Sequence, residues 1–214
     1  MSVRRRLPVR GLVEALVEGN ESGARAIARQ CLSAARSRTD VFADLIQPAQ
    51  YEIGELWYGG RIGVAVEHRA TAIVEEIVED LEPTPSDKPV RPGTSCVLAA
   101  VGDEQHVLGL RVLQLALEDD GWSVKQLGGR TPVEELAAFV AGRSIALVGL
   151  SAGYLPSSRA IRNSVEDLKA RRIPVLVGGA AFNRVPGLWR RVGADGHGLD
   201  ARVSVVLARR LVAQ

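Results

Sequence analysis

Apolar residues recur at helical spacing along the first eighty positions. Leu12, Leu16 and Val17 fall on one helical face, and Ala24, Ile27, Ala28, Cys31, Leu32 and Ala35 follow the i, i+3, i+4 rule. Asn20 stands where it can cap the second of these segments. The stretch TDVFADLIQPAQYEIGELW predicts a third helix, started by a Thr39–Asp40 cap and kinked or broken at Pro48. A fourth helix spans about Gly63 to Leu81, with Val66, Ala70, Ile73, Val74, Ile77, Val78 and Leu81 facing inward. Four amphipathic helices in succession predict a small bundle over residues 1–81.

The pattern then changes. Glu82 to Gly93 holds four prolines in twelve residues, which excludes helix and central strand and reads as a semi-rigid linker over 82–94. From 95 to 214, short apolar runs alternate with helical segments. Strands are expected at 95–101, 122–127, 145–151 and 173–179, with a short fifth one in ADGH. Helices are expected at 107–121, 132–142 and 157–172, then an irregular one at 182–193 that holds Pro186, then one from Asp200 to the end. Five β–α units of this kind predict an α/β fold, a flavodoxin-like doubly wound five-stranded parallel sheet. Its apolar, β-branched strands suit burial on both faces.

Composition narrows the classes without choosing one. The chain has 214 residues, 46% of them hydrophobic, and a formal net charge of +2, too balanced for nucleic-acid binding by charge alone. Arg outnumbers Lys twenty-four to three, which reads as a genome-composition effect, and Arg4–Arg6 reads as a solvated end. Cys31 and Cys96 fall in core patterns and fit a reducing compartment. No apolar run approaches the ~20 residues of a membrane helix, and the basic N-terminus carries Glu14 and Glu18, unlike a signal peptide. A cytoplasmic protein with no membrane partner is expected.

The chemistry should lie beyond the carboxyl ends of the strands, where doubly wound sheets bind ligands. The first such loop, GDEQHVLG, lacks both the dinucleotide and the P-loop glycine patterns, and Ser151 lacks a GxSxG setting. It does carry His106, with Asp103 and Glu104 just before it and Gly109 three residues on. A neutral imidazole is a strong metal ligand, and either carboxylate could orient it. The later loops, with Gly128 and Gly129, Ser151 to Gly153, and Gly178 and Gly179, are small enough to admit a long ligand lying against the sheet.

The set Glu104-x-His106-x-x-Gly109, with Ser151 and Gly178–Gly179, resembles the cobalamin-binding domain of methionine synthase, B12-dependent mutases and corrinoid proteins over about residues 94–214. The resemblance implies that His106 is the lower axial ligand of cobalt. It also implies that the cofactor's nucleotide tail descends into a cleft lined by Ser151, Gly153 and the Gly178–Gly179 pair. Two departures stand out: the family's usual acidic residue is Asp, where this chain has Glu104, and Ser151 is followed by Ala152–Gly153 in place of the commoner Ser-x-Leu or Ser-x-Thr.

A second segment, WYGGRIGVAVEH, places Trp57 nine residues before the pair Glu67–His68. At 100° per residue His68 lies roughly 160° from the centre of its helix's inward stripe, together with Val64, Thr71 and Glu75. The GGRIG between is a helix–helix turn. Placed ahead of the His106 loop, this W-x9-EH segment is similar to that of the light-sensing adenosylcobalamin proteins, which include light-dependent repressors of carotenoid genes. That resemblance implies a helical cap over the upper face of the cofactor, with Trp57 packed on the adenosyl group and Glu67 bonded to its ribose. It implies that His68 takes the upper cobalt position once light has released the adenosyl group.

The expected function is therefore an adenosylcobalamin-binding light sensor and regulatory protein rather than an enzyme, acting through self-association or a separate regulatory protein. About ten residues precede the first helix, so the repressors' DNA-binding domain is not expected here, nor is direct DNA binding. His197 is expected to be structural. A corrinoid methyl carrier fits the same domain order, as do a cobalamin storage or delivery module and a mutase subunit with a partner.

Overall fold

The computed structural model describes residues 7–34, 37–81, 90–153 and 158–213, without the side chains of 158–160. The chain divides into two compact units, Met1–Ser86 and Asp87–Gln214. Ala35, Arg4–Arg6 and most of the proline-rich stretch lie outside the described residues.

The first unit contains α1 (Val9–Val17), α2 (Glu21–Ala34), α3 (Arg38–Val41), α4 (Gln47–Tyr58) and α5 (Val64–Asp80). A π-helical segment, Phe42–Ile46, joins α3 to α4, so the described residues form four helical rods. Leu12, Leu16, Ala24, Ala28, Phe42, Leu45, Ile46, Ile53, Ile73 and Ile77 are buried between them. Each large aliphatic side chain so buried contributes roughly 1.5–3 kcal/mol. Asn20 caps α2 as expected: its Oδ1 accepts from the Gly23 N–H at 2.9 Å.

Two local expectations are corrected. The third rod starts at Ser37, whose backbone is extended and whose Oγ accepts from the Asp40 N–H; Thr39 and Asp40 lie inside its first turn. Pro48 does not break the rod. It sits in the first turn of α4, and the π turn just before it carries the Gln47 N–H to the Phe42 carbonyl. Proline has no N–H for the carbonyl four residues back and its ring collides with it, and the wider π turn takes up that misfit.

The second unit holds β1 (Ser95–Val101), α6 (Leu108–Asp119), β2 (Ser123–Thr131), α7 (Val133–Val140), β3 (Leu147–Ser151), α8 (Ser158–Ala170), β4 (Val175–Gly178), α9 (Ala180–Arg184), α10 (Leu188–Arg191), β5 (Gly196–Gly198) and α11 (Ala201–Val212). All five strands pair in parallel in the order β2-β1-β3-β4-β5, the flavodoxin-like order. Alternate residues feed two cores. Val97, Ala99 and Val101 pack with Val148, Leu150, Val175, Val177, Leu136 and Val165 on one face. Cys96, Leu98 and Ala100 pack with Leu147, Leu176, Leu110, Leu117 and Ala208 on the other. Burial pushes the Cys96 thiol up to about 12 and raises that of Cys31, so both stay protonated and act as small apolar side chains.

Two expectations change here as well. β2 does not stop at Leu127 but runs on through Gly128–Thr131, with register shifts that pair Ala99 with Gly128 and Val101 with Thr131. The helix expected around Pro186 is two short ones, α9 and α10, parted where proline and Gly187 interrupt the ladder.

Candidate functional site

The switch in strand order falls between β1 and β3, and the loop Gly102–Val107 crosses that edge from β1 to α6. Its hub is Glu104, whose side chain is only 3% exposed. Oε1 meets the His106 ring at Nδ1 (2.5 Å) and accepts from the His106 backbone N–H (2.8 Å). Oε2 accepts from the Gly153 N–H, in the loop after β3. A buried carboxylate needs donors to offset its lost hydration, and these three supply them.

A carboxylate can only accept, so the proton between it and the ring belongs to Nδ1. That leaves Nε2 unprotonated, with a lone pair available to accept a hydrogen bond or to meet a metal. The ring is 59% exposed beside its nearly buried partner, so its outer edge faces outward from the strand ends. Of the two carboxylates the sequence left open, Glu104 orients the imidazole; Asp103 is exposed.

The same loop is held on the β2 side. The Arg130 N–H donates to the Glu104 carbonyl at 2.7 Å, and Arg130 adopts a left-handed backbone, φ 53°, to do so. A Cβ at Gly129 would come within 2.9 Å of that carbonyl. Nothing in the residue types LGGRTP announces this clamp, because it uses backbone groups; a non-glycine left-handed residue is visible only in three dimensions.

The remaining predicted residues divide by surroundings. A Cβ at Gly109 or at Gly128 would meet nothing within 4 Å, so both keep open space beside the loop. Ser151 sits in register between Ala100 of β1 and Gly178 of β4. Gly153 must stay small, since a Cβ there would lie 3.1 Å from Glu104 Oε2 and 3.6 Å from His106 Nδ1. Gly179 is required by the chain itself: φ is +97° and a Cβ would fall 2.3 Å from the Ala152 carbonyl oxygen. His197 accepts no such central place. Its Nε2 meets Asn183 Oδ1 at 2.8 Å beside Phe182, and burial lowers its pKa.

One oriented imidazole offers a single nitrogen donor. Among the described residues no group of three or more His, Cys, Asp or Glu gathers to hold a bare metal ion. The donor set fits a metal that arrives already chelated in its equatorial plane, as in a corrin. No helix is long and apolar enough to cross a membrane among the described residues.

In the helical unit, α4 ends in a Schellman motif: Gly60, at φ +68°, donates its N–H to Trp57, and the Arg61 N–H returns to Leu56. This fixes the last turn of α4, where Trp57 is partly exposed and Tyr58 fully so. Glu67 stands in the first turn of α5 with its side chain 20% exposed, while His68 beside it is 74% exposed. Their facing atoms, Glu67 Oε2 and His68 Nε2, are 3.7 Å apart, longer than a hydrogen bond. Glu67 Oε1 instead accepts from Thr71 Oγ1 at 3.1 Å, and Thr71 Oγ1 accepts from Gln50 Nε2 of α4 at 3.3 Å.

Comparison with known proteins bears on both units. Two family models described as B12 binding domain match residues 94–206 and 9–82. The HTH-type transcriptional repressor CarH of Myxococcus xanthus is 33% identical over 144 residues, 65% of this chain and 47% of the repressor. Methionine synthase of Mycobacterium tuberculosis is 24% identical over 179 residues, 81% of this chain and 15% of the synthase. The chain thus spans about half or less of the curated relatives it matches. Among solved structures, the monomethylamine corrinoid protein of Methanosarcina barkeri aligns over 94% of this chain and 96% of its own, with a TM-score of 0.69 and 18% identity, a likeness of fold.

Proposed function

The chain belongs to the B12 binding domain family, and on that footing we propose that it is an adenosylcobalamin-binding light sensor whose output is a change of partner or of self-association. One observation supports this reading above the others. A single helical hairpin carries an exposed Trp57, a half-buried Glu67 and an exposed His68, the three residue types an alkyl-cobalamin sensor needs on the upper face.

When bound, adenosylcobalamin supplies the absorption of visible light and the cobalt–carbon bond that light cleaves. In this reading His106 offers Nε2 to the lower face of the corrin, and Glu104 raises the basicity of the ring by accepting at Nδ1. Ser151, Gly153, Gly178 and Gly179, with Gly109, Gly128 and Gly129, line the room for the nucleotide tail. Trp57 would stack on the adenosyl group and exclude water from it. Glu67 would hold the ribose through a carboxylate oxygen. His68, on the polar face near the start of α5, would be the residue that supplies a second imidazole to the cofactor.

A second reading is a corrinoid methyl carrier for a methyltransferase system. It is favoured by the methionine synthase match, which extends over 81% of the chain. Dark titration of the full chain with adenosylcobalamin and methylcobalamin, followed by green illumination and sizing, separates the two. The sensor reading predicts adenosylcobalamin binding and a light-dependent change in mass or shape. Binding of methylcobalamin alone, with no response to light, supports the carrier.

A further inference from the structure

The Glu67 carboxylate does not stand alone on α5. Its Oε1 accepts from the Thr71 hydroxyl one turn on, and that hydroxyl accepts from Gln50 Nε2 on the neighbouring helix. The polarity of the chain is forced. A carboxylate only accepts, so the single Thr71 proton goes to Glu67, and the Thr71 oxygen then needs a donor, which among these groups only the Gln50 amide nitrogen provides. Gln50 Oε1 is buried and has no hydrogen-bond partner among the described residues. Threonine inside a helix more often turns back to the carbonyl four residues before it; here it serves the side chain four residues before it.

The same link sets two helices in register. Gln50 and Trp57 are seven apart, two turns of α4, and so share a face with a rise of about 10 Å between them. Thr71 and Glu67 are four apart, about 6 Å along α5. α4 and α5 pack together and are joined by the short turn Gly59–Gly63, so they run in opposite directions. The Gln50–Thr71 contact therefore brings Trp57 and Glu67 out on one side of the hairpin, within about one turn of each other in height.

We propose that Thr71 and Gln50 are positioning residues that commit one oxygen of Glu67 and aim the other at the upper ligand, so that they select adenosyl over smaller upper groups. This rests on the sensor reading above. It goes beyond that reading by assigning selectivity to two residues outside the W-x9-EH segment.

The test is dark binding of adenosylcobalamin and hydroxocobalamin to the full chain, wild type against Glu67→Ala, Thr71→Val, Thr71→Ser, Gln50→Glu and the Glu67→Ala/Thr71→Val pair. Thr71→Val removes the donor at nearly constant volume. It should weaken adenosylcobalamin about tenfold while leaving hydroxocobalamin within about twofold. Thr71→Ser should restore wild-type binding. Gln50→Glu, which puts an acceptor where a donor is required, should act in the same direction as Thr71→Val. The double variant should bind no more weakly than Glu67→Ala alone, since both changes break one chain. Equal weakening of both corrinoids by Thr71→Val, or no weakening while Glu67→Ala discriminates, overturns the positioning role only. Glu67→Ala binding both corrinoids like wild type overturns the sensor reading and this inference with it.

Discussion

His106 and His68 are placed by opposite means. His106 is fixed from three strand ends: Glu104 holds its ring and its backbone, Gly153 of the loop after β3 holds Glu104, and Arg130 of β2 holds the Glu104 carbonyl. Among the described residues His68 has no hydrogen-bonding side chain upon it: it is 74% exposed and beyond hydrogen-bond reach of Glu67. The first arrangement is what an always-present ligand needs, a single rotamer and tautomer ready before the metal arrives. The second is what a ligand used in one state only needs, since a side chain locked by neighbours could not be recruited without breaking them. On the proposed assignment, constraint and not residue type separates a standing ligand from a conditional one.

The comparison breaks most visibly at Glu104. Glu104→Ala strips the acceptor from His106 Nδ1 and leaves the His106 and Gly153 N–H groups without their partner. Cobalamin affinity should fall about 10–100-fold, read by titration of the visible spectrum. Unchanged affinity would mean that His106 needs no orienting group. The matching change beside His68, Glu67→Ala, should leave binding of hydroxocobalamin intact.

A second substitution asks whether the glycines at the strand ends serve the chain or the ligand. Gly179→Ala forces a left-handed backbone and a contact with the Ala152 carbonyl, and should cost about 2 kcal/mol or more in the unloaded protein, measured by denaturant unfolding. Gly109→Ala, where the space is open, should leave stability almost unchanged and act only on cofactor affinity. Equal stability losses at both positions would erase the distinction.

His68→Ala sharpens the other side. With no partner in hydrogen-bond range from Glu67, its loss should change unloaded stability by less than about 0.5 kcal/mol and leave dark adenosylcobalamin affinity within about twofold. A large effect in either assay would mean that His68 is already engaged in the dark.

The smallest expected effect is at His197, whose role is local. Burial disfavours its cation, so its folded pKa lies below that of the unfolded chain. The unfolded state therefore binds the proton first as pH falls, and stability declines from the ordinary imidazole range, about 6.5, downward until the folded group also titrates. His197→Gln should flatten that slope without altering the spectrum of the loaded protein.

The fold was legible where one residue pattern had one structural solution. β1 runs Ser95–Val101 as its apolar run predicts, because a strand buried on both faces carries no competing polar period. α5 runs Val64–Asp80 because its inward stripe and flanking turn leave little choice. Ambiguity entered where several residues could do one job. Ser37, Thr39 and Asp40 are all capping residue types, and it is Ser37, with its extended backbone, that takes the role. Gly128–Gly129–Arg130 has turn composition, yet pairing with β1 through a bulge keeps it in the sheet.

The site divides in the same way. The spacing around His106 was visible, but the choice between Asp103 and Glu104 was not, since it depends on the Gly153 N–H forty-nine residues away. The Thr71–Glu67 pair has an i, i+4 signal in the sequence, whereas its Gln50 donor lies on another helix and has none.

The visible spectrum of the adenosylcobalamin-loaded protein before and after green illumination, wild type against His68→Ala, tests the central claim most directly. The account predicts identical dark spectra. After light, only the wild type should reach the spectrum of cobalt held by two imidazoles. Identical post-illumination spectra in the two proteins would contradict the assignment of His68 as the conditional ligand.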